Sequence, residues 1–104
     1  MKDITVMKTN KRLIALEMIN SGRLRADRNG RIYCKVANKE KIKLMSITNG
    51  YYRFNTSWKS KKYNFFGHQI VWIYFNRDSV MDNLQINHKD GNKLNNSIEN
   101  LELS

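Results

Sequence analysis

The last part of the sequence, INHKDGNKLNNSIENLELS at residues 86–104, contains the side chains best suited to chemistry. It holds one histidine, His88, among five asparagines. An imidazole can take a proton from water near neutral pH. The side-chain oxygens of Asn87 and Asp90 can bind a hard divalent cation such as Mg²⁺. The stretch can therefore supply a base and cation ligands, although its spacing alone favours an asparagine-rich turn with a surface histidine.

A short hairpin is the element that must position His88. LQINHKD is typical of a strand, GNKLNN of a glycine- and asparagine-rich loop, and ENLEL of a second strand that returns beside the first. This arrangement places His88 at the edge of the hairpin with Asn100 opposite. Asparagine amides both donate and accept, so they can satisfy backbone groups in an irregular loop. We therefore expect a loop that is held together by its own hydrogen bonds.

The preceding residues predict an α+β fold: an N-terminal helix and a small antiparallel sheet, then a short helix and the hairpin. Thr9 or Asn10 is expected to cap a helix that runs to about residue 21 and stops at Gly22. Its predicted core residues are Leu13, Ile14 and Leu16. HQIVWIYFN at residues 68–76 changes to a helical period and predicts a short buried helix, with a strand as the alternative.

The sheet is predicted from alternating apolar residues and turn signals. RIYCKV alternates through Cys34, which is expected to be a small core residue, and KIKLMSI alternates through Ile42 and Leu44. TNG at residues 48–50 is a hairpin signal that leads into YYRFNTS. A basic loop, WKSKK, is then predicted before YNFF.

The positive charge lies in the front of the chain. The net charge is +10, but residues 1–76 carry 16 Lys and Arg against 4 Asp and Glu, whereas residues 77–104 carry 3 against 5. Basic residues interleaved with aromatic ones are typical of a surface that binds nucleic acid. We expect residues 1–76 to bind duplex DNA and residues 77–104 to form the hairpin, within one compact unit. The candidate DNA-binding residues are Arg31, Arg53, Lys59, Lys61 and Lys62.

Other partners and locations are weighed on the same composition. A basic surface with no polyanion partner is the alternative to DNA binding. Membrane binding is disfavoured because no segment combines an apolar helical face with a basic one. The absence of a long apolar run and of a signal-peptide pattern predicts a protein in the cytoplasm of a bacterial or phage-infected host cell.

From His68 to Leu103 the sequence resembles the HNH endonucleases of the phage and intron-homing type. The family motif runs approximately VHRLVAxxF, then NHxDGxxxNNxxxNLxW, and this chain has GHQIVWIYFN and INHKDGNKLNNSIENLEL. The matching region covers about a third of the chain. The motif positions shared in the hairpin are Asn87, His88, Asp90, Gly91, Asn92, Asn95, Asn96, Asn100 and Leu101.

The resemblance implies a ββα-metal site that cuts or nicks duplex DNA with Mg²⁺ or Mn²⁺. Asn87 would be a cation ligand and His88 the general base. Asn100 would hold the loop so that one nitrogen of His88 faces water while the other bonds a backbone carbonyl. His68 would make a structural hydrogen bond to the hairpin. Asn92 and Asn96 are likewise expected to be structural.

One departure from the family leaves two functions open. In the family a helix follows the second strand and completes the metal site, but this chain ends at Ser104. Asn87 is also uncharged, so weak cation binding is expected. The first function is an HNH endonuclease, complete or truncated. The second is a non-catalytic DNA-binding protein with this fold, or a small phage inhibitor of a host nucleic-acid machine such as a defence nuclease, with a host protein as partner.

Overall fold

The computed structural model describes residues 6–78 and 84–103, without the side chains of residues 6 and 84. These residues contain two α-helices and nine short strands. The first half contains β1 (Val6–Met7), α1 (Thr9–Asn20), β2 (Leu24–Ala26), β3 (Ile32–Val36), β4 (Lys39–Ile42) and β5 (Ser46–Thr48). The second half contains β6 (Tyr51–Trp58), β7 (Lys61–Phe66), α2 (Gly67–Phe75), β8 (Leu84–His88), a 3₁₀ turn (Ile98–Asn100) and β9 (Leu101–Leu103).

The first helix confirms the prediction over residues 9–21, and Ile14 and Leu16 pack against the core as predicted, but the cap and the exposure of Leu13 differ. The N-cap is Lys8, whose carbonyl accepts from the Arg12 N–H, and no side chain caps the helix. The predicted caps Thr9 and Asn10 lie inside the first turn instead. Leu13 is 52% exposed because it lies outside the face of the helix that is buried, whose residues recur at helical spacing. These buried residues are Arg12, Ala15, Met18 and Ile19.

The nine strands form three antiparallel sheets, with the orders β2-β3-β4, β5-β6-β7 and β1-β8-β9. The TNG hairpin between β5 and β6 is confirmed, with Asn49 and Gly50 both at positive φ. The predicted loop WKSKK is wrong. Its turn takes only Lys59 and Ser60, also at positive φ, so Lys61 belongs to β7. Such two-residue turns match the twist of paired strands and let the ladder continue to the turn.

The alternation in KIKLMSI does not correspond to a buried strand. The run divides into the end of β4 and the start of β5, and Leu44 between them is 88% exposed. Ile42 is half exposed as well. β4 is an edge strand whose four residues are all exposed, because β3 and β4 extend past the core on this side. Cys34 on β3 is buried, as predicted.

Helix α2 lies at the centre of the fold, and its prediction as a short buried helix is confirmed. It packs against α1 and against strands of all three sheets. Its residues from Gly67 to Val71 are buried, along with Ile73. The N-terminus of α2 is thereby held beside the hairpin of β8 and β9. The mixed α+β class, with antiparallel sheets, is confirmed.

The C-terminal hairpin is joined by the first described strand. β1 pairs with β8, with Val6 opposite Gln85 and Met7 opposite Leu84. Residues 79–83 and 104, which belong to the predicted hairpin region 77–104, lie outside the described residues. Among the helices that the structure describes, none has the length and apolar character needed to span a membrane.

Candidate active site

His88 is the last residue of β8 and is only 5% exposed. β8 pairs with β9 so that His88 lies opposite Leu101, and not opposite Asn100 as predicted. The difference of one position arises because Asn100 ends the 3₁₀ turn before β9. Its carbonyl accepts a hydrogen bond of 2.7 Å from the Lys89 N–H. The histidine is therefore a buried residue at the point where the strand becomes the loop.

The imidazole of His88 contacts a buried amide and two buried rings. Its Nε2 lies 2.8 Å from Oδ1 of Asn96. Its ring centroid is 4.9 Å from that of His68 and 6.2 Å from that of Tyr51. His68 and Tyr51 also stack on each other at 5.2 Å. The amide oxygen of Asn96 thus lies beside one nitrogen of the imidazole, and the His68 ring contacts the His88 ring.

The loop after His88 is organised around the carboxylate of Asp90. Oδ1 accepts from the backbone N–H of Asn92 at 2.8 Å and from the amide of Asn100 at 2.9 Å. Oδ2 accepts from the amide of Asn95, also at 2.9 Å. The Asn95 amide, the Asn92 N–H and the Asn100 amide, in that order, lower the pKa of Asp90 below its usual 3.8. A carboxylate with these partners is well suited to hold a loop together.

Asn100 completes this network from the other side of the loop. Its amide also donates to the Asn95 carbonyl at 2.9 Å, and its own oxygen accepts from the Asp90 N–H at 3.1 Å. Asn92 accepts from the Leu94 N–H at 3.0 Å. The expectation of a loop bonded to itself is met by these contacts.

The turn between β2 and β3 packs against the loop that follows His88. The carbonyl of Arg28 accepts from the Ile98 N–H at 3.0 Å, and the Arg28 guanidinium pairs with Glu99. Gly30 has φ of +92°, and a Cβ added to it would lie 2.7 Å from three atoms of Asn96. A Cβ added to Gly67, at the start of α2, would lie 3.0 Å from Nδ2 of Asn96. Two glycines from distant elements therefore permit the close packing of Asn96.

The cation ligands were predicted to be Asn87 and Asp90. Asn87 is half-buried on β8, opposite Glu102 of β9. Asp90 uses both oxygens for hydrogen bonds within the loop, which favours a structural role. Within residues 6–78 and 84–103, no group of three or more His, Cys, Asp or Glu side chains could hold a metal ion. Asn87 fits as one oxygen ligand, and the described residues do not form a closed cage.

The candidate DNA-binding residues fall into two places. Lys61 and Lys62 are exposed on β7, next to the turn that carries Lys59. Lys59 pairs with Glu17 of α1 and lies over the Trp58 ring.

The two candidate arginines lie nearer the loop that follows His88. Arg53, on β6, is half-buried opposite Phe66, the residue before α2. Arg31 pairs with Asp27 at 3.5 Å and lines a cleft that also reaches Asn96. The five residues thus occupy both ends of the β6–β7 hairpin and the β2–β3 turn.

Comparisons with known proteins match the hairpin and the sheets in front of it. The family model described as HNH endonuclease matches residues 65–104. An uncharacterized HNH endonuclease, L245 of Acanthamoeba polyphaga mimivirus, is 36% identical over 87 residues, which is 83% of this chain and 23% of that protein.

A solved structure shows the same arrangement of elements. The HNH homing endonuclease I-HmuI, in a study of its DNA binding and cleavage, matches with a TM-score of 0.66 and 29% identity. The match covers 80% of this chain and 47% of that one, so the chain spans less than half the length of either relative. From the family match, the relative and the shared fold, we conclude that the chain belongs to the HNH endonuclease family.

Proposed function

We propose that this chain is the nuclease part of an HNH DNA endonuclease of the phage or homing type, which nicks or cuts duplex DNA by metal-assisted hydrolysis of a phosphodiester. The observation that carries the proposal is His88, a buried imidazole on a loop held by Asp90 and Asn100. I-HmuI, which shares the fold, binds and cleaves DNA.

In this proposal His88 is the general base. Water attacks the phosphorus as its proton passes to His88, and the 3′ oxygen leaves on the opposite side. A divalent cation, Mg²⁺ or Mn²⁺, would stabilise the negative charge on the phosphate and on the leaving oxygen. Asn87 would supply one oxygen ligand. Mg²⁺ in proteins keeps several waters and often shares substrate phosphates, so a partial set of protein ligands is compatible with weak, DNA-dependent binding.

The sheet formed by β5, β6 and β7 is proposed to lie along the DNA. β6 begins at Tyr51, in the ring cluster beside His88, and ends at Trp58, next to the basic turn. At ~3.4 Å per residue its eight residues span about 24 Å. This distance corresponds to about seven base pairs along one strand. Lys61 and Lys62 would then contact phosphates about that far from the scissile bond.

A plasmid assay tests this function. Supercoiled DNA is incubated with the full chain and Mg²⁺ or Mn²⁺, and nicked circles are quantified with and without a chelator. We expect nicking that needs the cation and is lost in His88→Ala. Asn20→Ala, an exposed substitution at the end of α1, is the control for handling and folding. Cleavage by His88→Ala at the wild-type rate would refute the mechanism.

A non-catalytic role is the second candidate, and the chemistry of the cation ligands favours it. Asn87 is uncharged, and the Asp90 carboxylate is engaged within the loop. A chain of this kind would bind DNA, or a host protein, through the same fold. Salt-sensitive DNA binding with no nicking in Mn²⁺ at any enzyme concentration would support this candidate over the endonuclease.

A further inference from the structure

We propose that Asn96 is a positioning residue that fixes the tautomer and the direction of the His88 imidazole. The loop-holding role belongs to Asn100, whose side chain bonds Asp90 and the Asn95 carbonyl. Asn96 instead reaches the imidazole itself. The effect of Asn96 on cleavage rests on the proposed function, whereas its effect on the tautomer does not.

The chemistry of the two groups determines the tautomer. A neutral imidazole has one N–H and one nitrogen lone pair, and an amide oxygen can only accept. Oδ1 of Asn96 at 2.8 Å from Nε2 therefore requires the proton to be on Nε2. The lone pair is then on Nδ1, which becomes the nitrogen able to take a proton from water. A hydrogen bond worth about 1 kcal/mol corresponds to about a fivefold preference for this tautomer.

The packing around Asn96 holds its amide beside His88. Oδ1 is the atom turned to the imidazole, and Nδ2 lies on the side of Gly67, where a Cβ would be only 3.0 Å from it. The backbone of Asn96 packs against Gly30. The side chain is 4% exposed, so water competes poorly for either end of the amide. Asn96 is thus held in one orientation before any substrate binds.

The ring cluster limits rotation of the imidazole in the same way. His68 is completely buried and lies against His88 at 4.9 Å. Tyr51, which is also buried, stacks on His68 and packs against it. A 180° rotation of the His88 ring would move Nε2 away from the Asn96 oxygen. The ring would also have to rotate against the packed rings of His68 and Tyr51. Amide and rings together therefore favour one position of the imidazole.

Nitrogen-15 NMR of the histidine rings tests the proposal directly on the full chain. Spectra are recorded at a series of alkaline pH values, up to the point where the histidine signals no longer change with pH. His88 is assigned by comparison with His88→Ala. We expect the Nε2–H tautomer in the wild type and in Asn96→Asp, whose carboxylate also accepts. Asn96→Leu, which keeps the volume and removes the acceptor, should raise the ratio of Nδ1–H to Nε2–H about fivefold.

A control and a kinetic measurement complete the design. Asn92→Ala removes an exposed amide from the same loop and should leave the tautomer as in the wild type. Nicking by Asn96→Leu should fall in kcat with little change in KM, because less of the imidazole is in the Nε2–H form and its ring is no longer held, and Asn96→Asp should recover part of the rate. Nδ1–H in the wild type, or an unchanged tautomer in Asn96→Leu, would overturn the proposal.

The two proposals fail separately. If Asn96→Leu shifts the tautomer but no variant nicks DNA, the positioning role stands and the endonuclease function fails. If the wild type nicks DNA and the tautomer is the same in Asn96→Leu, the positioning role fails. Should Asn96→Leu not fold by circular dichroism, the folded Asn96→Asp spectrum decides, because Nδ1–H in it would contradict the role given to the acceptor.

Discussion

Replacing Gly30 by alanine tests whether the β2–β3 turn holds the loop that follows His88 in place. Gly30 has φ of +92°, a conformation that an alanine adopts at a cost of about 1–2 kcal/mol. The added methyl group would also lie 2.7 Å from the C, O and Cβ atoms of Asn96. The contacted atoms are backbone atoms and the first side-chain carbon, so they cannot move aside by a change of rotamer.

The two effects add to a large fraction of the stability of a small domain. Forcing a methyl group into packed atoms costs about 1–3 kcal/mol. With the backbone strain, the free energy of unfolding should fall by about 2–5 kcal/mol, against about 5–15 kcal/mol for typical proteins. At about 4–8 °C per kcal/mol, the melting temperature should fall by at least about 8 °C.

Gly22→Ala is a matched control for the backbone strain. Gly22 has φ of +86° and nothing within 4 Å of an added Cβ, so the substitution changes conformational energy alone. Thermal and urea unfolding, followed by circular dichroism, should show Gly30→Ala to be less stable than Gly22→Ala by the 1–3 kcal/mol of the steric term. Equal losses in the two variants would refute the contact between this turn and Asn96.

Three further predictions concern the loop and the DNA surface. Asn100→Ala should lower the free energy of unfolding by about 1–3 kcal/mol, and more than Asn87→Ala does, because it removes three hydrogen bonds that hold the loop; thermal melts that place Asn87→Ala lower would contradict this order. Because the pKa of Asp90 is lowered in the folded state, its contribution to stability is present above pH 3.8 and is lost as pH falls through the lower folded value. Asp90→Asn should remove this part of the dependence of stability on pH in thermal melts recorded across this range. The same dependence in Asp90→Asn and in the wild type would exclude the contribution of Asp90. Replacing both Lys61 and Lys62 by Glu should weaken duplex binding on all DNA sequences. In a fluorescence titration, the slope of log affinity against log salt concentration should fall in magnitude by about two or more. An unchanged slope would exclude phosphate contacts at these two lysines.

The helix α2 and the hairpin were predictable because local pattern determines them. The change to helical spacing in HQIVWIYFN and the motif from Asn87 to Leu101 are each contained in a few neighbouring residues. The exposure of Leu44 and Ile42 was not predictable in the same way, because alternation does not reveal where a sheet extends past the core. An apolar pattern at an edge strand looks the same in sequence as one in a buried strand.

The identity of the residue that contacts His88 could not be read from spacing. Five asparagines lie near His88 in sequence, three of them in the irregular loop between β8 and the 3₁₀ turn, and no period relates their side chains to the ring. Asn96 can pack beside His88 because Gly30 and Gly67 leave room for it, and both glycines lie far from it in sequence. The RIYCKV strand that follows Gly30 was visible in the sequence, but the contact of Gly30 with the loop depends on tertiary packing alone.

The central claim is that the His88 imidazole takes the proton from water during DNA cleavage, and chemical rescue measures this most directly. His88→Gly removes a buried ring and leaves a space of its own shape beside His68. Nicking of supercoiled plasmid by this variant, with Mg²⁺ or Mn²⁺, should be about 10²–10⁴-fold slower than that of the wild type. Added free imidazole should restore part of the rate in proportion to its concentration, and should not accelerate the wild type. Wild-type nicking by His88→Gly without imidazole would contradict the account.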